Sequence, residues 1–252
     1  MLEFRSFAPH VTVSGLSFEA AFAHHPRALA MTTTTAPVPL KIDFVSDVSC
    51  PWCVIGLKSL EDALGRVGDS VKADIHFQPF ELNPKMAAEG QDIGEHLAEK
   101  YGSTPEQSQK NREMIRARGA DVGFTFSMDK RSRIYNTFDA HRLLHWAGEE
   151  GQGLQLALKQ ALFKAYFTDG DSPGSHEVLA RVAGEVGLDV VRAQAILASD
   201  DYADAVRERE NFYLQHGIHS VPAVIINDKH LISGGQPAEV FEQALRQIAA
   251  AA

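Results

Sequence analysis

The sequence predicts an α/β fold, with a β-α-β half and a β-β-α half on either side of a large all-helical insertion. Three observations carry that expectation. A strand-like run, Lys41-Ile42-Asp43-Phe44-Val45-Ser46-Asp47, leads through Cys50-Pro51-Trp52-Cys53 into the helical spacing of Leu57, Leu60 and Leu64. From about 92 to 216 nothing reads as a strand, and helix start and stop signals recur. After that block, Ala223-Val224-Ile225-Ile226-Asn227 and His230 to Ser233 read as two short strands ahead of a last helix. Two or three strands alone bury too little apolar surface, so the two halves must share one sheet. The organisation expected is a flexible leader over 1–39, a split α/β domain over 40–90 and 217–252, and a helical lid over 91–216.

Each element has a local cause. The first strand, at about 40–46, is an apolar run, and the helix at about 51–65 ends between Gly65 and Gly68. Val71, Ala73, Ile75 and Phe77 alternate onto one face of a second strand, which stops at Gln78-Pro79, where proline removes a donor. Asp92 to Tyr101 is helical and stops at Gly102; Thr104 then caps a helix with Pro105 at its first position. Helices follow over about 133–149, with Phe138, Leu144 and Trp146, and over 153–168, with Leu158, Leu162, Phe163 and Tyr166. Ser175 opens a helix closed by Gly187, Asp189 opens one ending near Ser199, and the next runs over about 201–216. Asp228-Lys229 is a turn and Gly234-Gly235 a tight bend. Pro237 starts a final helix with Val240, Phe241, Ala244, Leu245 and Ile248 on one face.

Cys50 and Cys53 are the only cysteines in the 252 residues. A Cys-x-x-Cys pair at a strand-to-helix junction is the outline of a redox device. The first sulfur is expected to be accessible and to sit at a helix N-terminus, where free N–H groups and the helix dipole favour a thiolate. Cys53, one turn in, can then displace a partner held on Cys50. Pro51 suits the first helical position, because its missing N–H is not needed there.

Composition narrows the classes. With 44% hydrophobic and 23% charged residues the chain reads as an ordinary globular protein. No apolar run approaches the ~20 residues of a membrane helix. A net charge of −9 without a basic stripe argues against a nucleic-acid surface. Ala28-Leu29-Ala30 mimics a signal-peptidase site, but the apolar stretch before it is broken by Glu19, His24, His25, Pro26 and Arg27. Residues 1–30 therefore read as a leader without fixed structure, or as upstream of a true start at Met31. A cytoplasmic location is expected, with export by an unusual signal as the alternative.

Several stretches, in order, resemble one known family. Ser46-Asp47-Val48-Ser49-Cys50-Pro51-Trp52-Cys53-Val54-Ile55-Gly56, Gln78-Pro79-Phe80-Glu81-Leu82-Asn83-Pro84, Ala140-His141-Arg142-Leu143, Leu162-Phe163-Lys164-Ala165-Tyr166-Phe167, Ser220-Val221-Pro222-Ala223 and Ser233-Gly234-Gly235-Gln236-Pro237 are similar to motifs of the DsbA-like thioredoxin superfamily, and within it the FrnE-like branch. The resemblance runs from about 40 to 250. It departs at Val54, where the branch commonly has an aromatic residue, at the loop Asp171-Ser172-Pro173-Gly174-Ser175, and at Gly234. It implies a thioredoxin-like fold, thiol–disulfide oxidoreductase or isomerase activity at Cys50 and Cys53, redox tuning by Pro51 and Trp52, and a cis Val221–Pro222 bond that presents a backbone edge to substrate. The implied partners are thiol- or disulfide-containing proteins and glutathione; from charge, hydropathy and the lack of a ligand set, no metal, nucleic-acid or membrane partner is expected, and no cofactor is expected either. Pro-Trp replaces the Pro-His of the strongly oxidising pattern, so a couple less oxidising than DsbA is expected. The branch also resembles 2-hydroxychromene-2-carboxylate isomerase and the kappa-class glutathione transferases, which usually have a serine in place of Cys50; a non-enzymatic chaperone is the third reading.

Simpler readings compete at individual residues. A zinc site would need four ligands; His141 and His145 could supply two, but Arg142 stands where His-Glu-x-x-His has glutamate. His141 and Arg142 are read first as packing residues under the lid, and second as substrate contacts. Asp47 is read first as a turn-capping carboxylate, and second as a proton acceptor for Cys53. Trp52 is either an exposed rim aromatic or packed against the lid. Gly234-Gly235 is simply a turn, since no phosphate motif follows.

Overall fold

A computed structural model describes residues 36–151 and 153–252. The leader and the choice between Met1 and Met31 lie outside the described residues. The first strand, β1 (Val38–Ser46), runs in parallel register with β2 (Val71–Pro79) and is joined to it through α1 (Pro51–Val67). The closing strands β5 (Ala223–Ile226) and β6 (His230–Ser233) pair antiparallel, and β5 lies against β1 in the order β2-β1-β5-β6. The two halves thus share one sheet, as the shortage of buried area in either half requires. In chain order the remaining elements are β3 (Gln91–Asp92), α2 (Ile93–Tyr101), α3 (Pro105–Asp121), β4 (Arg133–Ile134), α4 (Phe138–Glu150), α5 (Leu154–Lys164), α6 (His176–Glu185), α7 (Val190–Leu197), α8 (Ala203–Gln215) and, after β6, α9 (Ala238–Ala250).

The cap chemistry explains the insertion's boundaries. Asp92 accepts from the N–H groups of Gly94 and Glu95, and Thr104 with Gln107 forms a reciprocal capping box before Pro105. Ser175 and Asp189 cap α6 and α7 in the same way. Three expectations need correction. The stretch 92–216 is not free of strand, because Asp92 pairs with Arg133 and Gln91 with Ile134; a ladder of two residues per strand leaves no periodicity to read. The helix expected from 133 starts at Phe138, since Asn136 turns the chain by accepting from the Phe138 N–H at 2.9 Å. Finally, β2 does not stop before Pro79 but ends on it, opposite Ser46, on an edge strand where a missing N–H costs no ladder bond.

β1 is the centre of the core. Leu40, Ile42 and Phe44 point into one buried cluster with Leu57 and Leu60 of α1, Val224 and Ile226 of β5, and Phe241 and Leu245 of α9. Phe163, Tyr166 and Phe167, from α5 and the π-helical turn that follows it, belong to the same cluster. A second cluster joins α4 to α7 around Trp146, Leu158 and Leu179, and reaches back to Val48 beside the cysteines.

Candidate active site

The last residues of β1 aim the chain at the site. Asp47 follows the strand, and its buried carboxylate organises the turn: Oδ1 accepts from the Ser49 N–H at 3.0 Å and Oδ2 from the Leu82 N–H at 2.7 Å. The Cys50 N–H donates to the Asp47 carbonyl at 3.2 Å, which closes the turn and leaves Cys50 as the N-cap of α1 with Pro51 at its first position. Burial would push the Asp47 carboxyl up, but the His141 ring 3.8 Å away and the Ser49 and Leu82 N–H groups outweigh it and hold it below the usual carboxylate range. The turn-capping reading of Asp47 is therefore the better one.

Cys50 and Cys53 are both free thiols. Cys53 is wholly enclosed. Burial first, and then the Cys50 sulfur, push its thiol well above the ordinary range. Cys50 is itself only 4% exposed, against the expectation of an accessible sulfur. The reason is tertiary: the Val221 carbonyl lies 3.8 Å from Sγ, brought there from 171 residues away. The Val221–Pro222 bond is cis, the geometry that the resemblance implies.

Glycines let these pieces approach. A Cβ on Gly56 would stand 3.1 Å from the Pro222 ring, and one on Gly235 would stand 2.9 Å from the Trp52 carbonyl oxygen. Gly234, at φ +81°, donates its N–H to the Pro222 carbonyl at 2.8 Å. The Gly-Gly bend is thus more than a turn, since it holds the 221–222 segment and gives the Trp52 ring a surface to lie on. Trp52 is half-buried, packed against the main core, and Pro51 is half-buried at the helix start.

Among the residues weighed as side issues, Arg142 is a tie within the insertion. Its guanidinium donates to the carbonyls of Ile196, Ser199 and Asp201 and to Asp139. His141 is buried against Asp47. Among the described residues no group of three or more His, Cys, Asp or Glu is set to hold a metal ion, and no helix is long and apolar enough to cross a membrane.

Two residues escaped the sequence reading. Gln155 of α5 clamps β2, accepting from the Phe77 N–H at 2.9 Å and donating to the Phe77 and Leu144 carbonyls. Lys159, also on α5, is wholly buried, and its Nζ has no hydrogen-bond partner among the described residues. Burial pushes its ammonium down to about 8, while the charges of Cys53, Asp47 and Cys50 act to raise it. The available signal was its spacing: Lys159 lies three residues before Leu162 and four before Phe163, on the helix's apolar face.

Known proteins resemble this chain in sequence and fold. A family model described as a DSBA-like thioredoxin domain matches residues 41–246. The crystal structure of a probable DsbA oxidoreductase from Streptomyces coelicolor is 36% identical and superposes with a TM-score of 0.77, covering 82% of this chain and 89% of that one. The uncharacterized protein YwbO of Bacillus subtilis is 26% identical over 205 residues, 81% of this chain and 94% of its own length. The cytosolic disulfide reductase DsbM of Pseudomonas aeruginosa, in a structure with GSH, shares the fold at 17% identity and a TM-score of 0.58, covering 82% of this chain and 98% of DsbM.

Proposed function

The chain belongs to the DSBA-like thioredoxin domain family, and on that premise we propose that Cys50 and Cys53 make it a thiol–disulfide oxidoreductase of the FrnE-like branch. The observation that carries the reading is the Cys50 sulfur at the start of α1, faced at 3.8 Å by the Val221 carbonyl. In the reducing direction the Cys50 thiolate attacks a substrate disulfide and expels one thiolate, leaving a mixed disulfide. Cys53, as thiolate, then attacks Cys50, forms the Cys50–Cys53 bond and releases the second substrate thiolate. In the oxidising direction a substrate thiolate opens the Cys50–Cys53 bond, and a second substrate thiol resolves the product. Isomerisation combines the two.

The unequal environments divide the labour. Cys53 is enclosed and its thiol is pushed up, so it waits as the protonated resolving group. Val221 and Pro222 offer a backbone edge beside Cys50, to which an extended substrate segment pairs in the manner of strand addition. Substrates are disulfides or thiols of proteins, and glutathione is the small-molecule candidate, in keeping with the GSH in the DsbM structure. A cytoplasmic site of action fits that pairing.

Trapping tests the reading. Cys53→Ser, expressed in the native cell, is expected to accumulate mixed disulfides on Cys50, and Cys50→Ser to lose thiol–disulfide turnover. Glutathione-dependent turnover that survives Cys50→Ser would instead support an isomerase or glutathione transferase. Aggregation suppression fully retained by the double serine variant, with no redox turnover in the parent protein, would support a chaperone.

A further inference from the structure

The stretch Gln78-Pro79-Phe80-Glu81-Leu82-Asn83-Pro84 carries one acidic residue that the redox chemistry leaves unused. Glu81 follows β2 in a loop, yet its side chain is only 2% exposed. It meets a second enclosed carboxylate, Glu210 of α8, whose side chain is 9% exposed. One nitrogen holds both: Arg207 Nη1 donates to Glu81 Oε1 and to Glu210 Oε2, the latter at 2.7 Å. The Arg207 guanidinium lies over the Phe138 ring of α4, 3.8 Å from its centre. Each carboxylate keeps a second oxygen, Glu81 Oε2 and Glu210 Oε1, that is buried and has no hydrogen-bond partner among the described residues. Buried oxygens without a donor are costly.

The surroundings do not balance the charge. The groups that act on the pair are Arg207 from α8, His141 from α4 and Asp47 from the turn before α1. Lys100 of α2 also reaches the 80–84 loop, but it donates to the Leu82 carbonyl at 2.8 Å and to Asn83 Oδ1 at 2.7 Å. Three carboxylates thus face one guanidinium, and His141 adds charge only when protonated. A proton on one member of the pair removes the excess, and its O–H can donate to the other, which satisfies both stranded oxygens at once. Burial first, and then the Glu210 charge, push the Glu81 carboxyl up, and burial pushes that of Glu210 up as well. Short bonds join the pair to the cysteine turn. Leu82, next to Glu81, donates its N–H to Asp47 Oδ2 at 2.7 Å, and the Asp47 carbonyl accepts from the Cys50 N–H at 3.2 Å.

We propose that Glu81 and Glu210 share one proton, and that this proton and Arg207 together latch α8 to the 80–84 loop that steadies the Asp47 turn before Cys50. Glu81 is a positioning residue in this scheme. It acts on the cysteine turn through Leu82 and Asp47, and its proton passes to solvent, not to either cysteine. With the proton in place the loop is fixed and Leu82 holds Asp47. Once the proton is lost, two buried carboxylates repel each other across one guanidinium, the loop parts from α8, and the Leu82–Asp47 bond opens with it. The folded pair keeps a proton that the unfolded glutamates have already given up, so the latch is closed on the acid side and weakens as pH rises. The consequence for turnover rests on the thiol–disulfide reading above; the latch itself does not.

Two measurements on the full chain test the latch. In infrared spectra of protein with isotope-labelled glutamate, at about pH 6, where exposed glutamates are ionised, the wild type should show a carboxylic-acid C=O band that Glu210→Gln lacks. The amide of that variant can donate to Glu81 in place of the shared proton, so its latch should stay closed at every pH. Hydrogen exchange supplies the second readout. Protection of the Leu82 amide, corrected for the intrinsic rate, should fall about tenfold per pH unit once the pair titrates in the wild type, the slope of one proton, and stay level in Glu210→Gln. The ratio of thiol–disulfide turnover in Glu210→Gln to that in the wild type should rise over the same range. A wild type without the acid band, or Leu82 protection with the same pH dependence in both proteins, overturns the proposal. If Glu210→Gln misfolds, Glu81→Gln replaces it; if both do, the wild-type band decides. Turnover that persists in Cys50→Ser would strike at the oxidoreductase reading and leave the band and the exchange profile untouched, a distinct outcome.

Discussion

Lys159 carries a stability cost whose sign can be worked out. Its folded pKa, about 8, lies below the ordinary 10.5. Below pH 8 both folded and unfolded chains hold the proton, and the burial penalty is fully present. Between 8 and 10.5 the unfolded chain binds more protons, so the wild type gains stability as pH rises through that window. Lys159→Met should therefore be more stable than the wild type at pH 6–7, by about 3 kcal/mol, and the advantage should vanish towards pH 10.5. Chemical denaturation at a series of pH values checks this; a variant less stable at pH 6 would contradict it. Gly235 gives a second prediction at this scale. A methyl there meets the Trp52 carbonyl oxygen at 2.9 Å, a backbone atom that cannot swing away. Gly235→Ala should cost about 1–3 kcal/mol as overpacking and slow the reaction at Cys50, read by denaturation and by thiol alkylation rates.

Among the elements, α4 has two jobs. One face presents His141 to Asp47 and lines a small cavity next to Lys159. The other sends Arg142 to the carbonyls at the end of α7 and just beyond it. The Ile196 carbonyl also accepts from the Ser199 N–H at 3.2 Å, whereas those of Ser199 and Asp201 just past the helix terminus depend on Arg142. Arg142→Leu keeps bulk but removes every donor, and each stranded buried acceptor costs about 1–3 kcal/mol. The expected result is a loss of at least about 2 kcal/mol, with α7 exchanging its amide hydrogens first in hydrogen–deuterium exchange. Unaltered protection in α7 would show that the tie is dispensable. By contrast α1 is positioned at its N-terminal half, by the Asp47 turn before it and by the approach of Gly56 to Pro222 along its side.

For the molecule as a whole, the main core crosses the boundary between sheet and insertion. Phe163, Tyr166 and Phe167 pack in one cluster with Phe44, Leu57 and Phe241. We propose that the helical segment over 91–216, although inserted as a block, unfolds together with the split domain. The chain's two tryptophans report on the two regions: Trp52 lies in α1 and Trp146 in the insertion's own core. Single-tryptophan variants, Trp52→Phe and Trp146→Phe, should show coincident fluorescence transitions in denaturant. Separated midpoints would make the insertion an independent unit. The redox couple is also a property of the whole molecule: equilibration with glutathione buffers should give a potential well below the approximately −120 mV of DsbA, and a value near that figure would contradict the expectation from Pro51-Trp52.

How much of this was readable from residues alone follows from range. Strand alternation, caps and breakers act over a few positions, so β1, α1, β5, β6, α9 and most insertion helices could be traced from sequence, and so could the cysteine pair at a helix start. The two-residue strands β3 and β4 could not, because so short a pairing has no period. The low exposure of Cys50 depends on a carbonyl 171 residues away, and the second use of the Gly-Gly bend depends on Trp52 lying beneath it. Lys159 shows the limit most sharply. Its charge marks it for the surface in any local reading, yet α5 turns it inward, near Asp47 and the two cysteines. Burial and long-range charge arise only when distant segments meet, so folding alone assigned this lysine its surroundings.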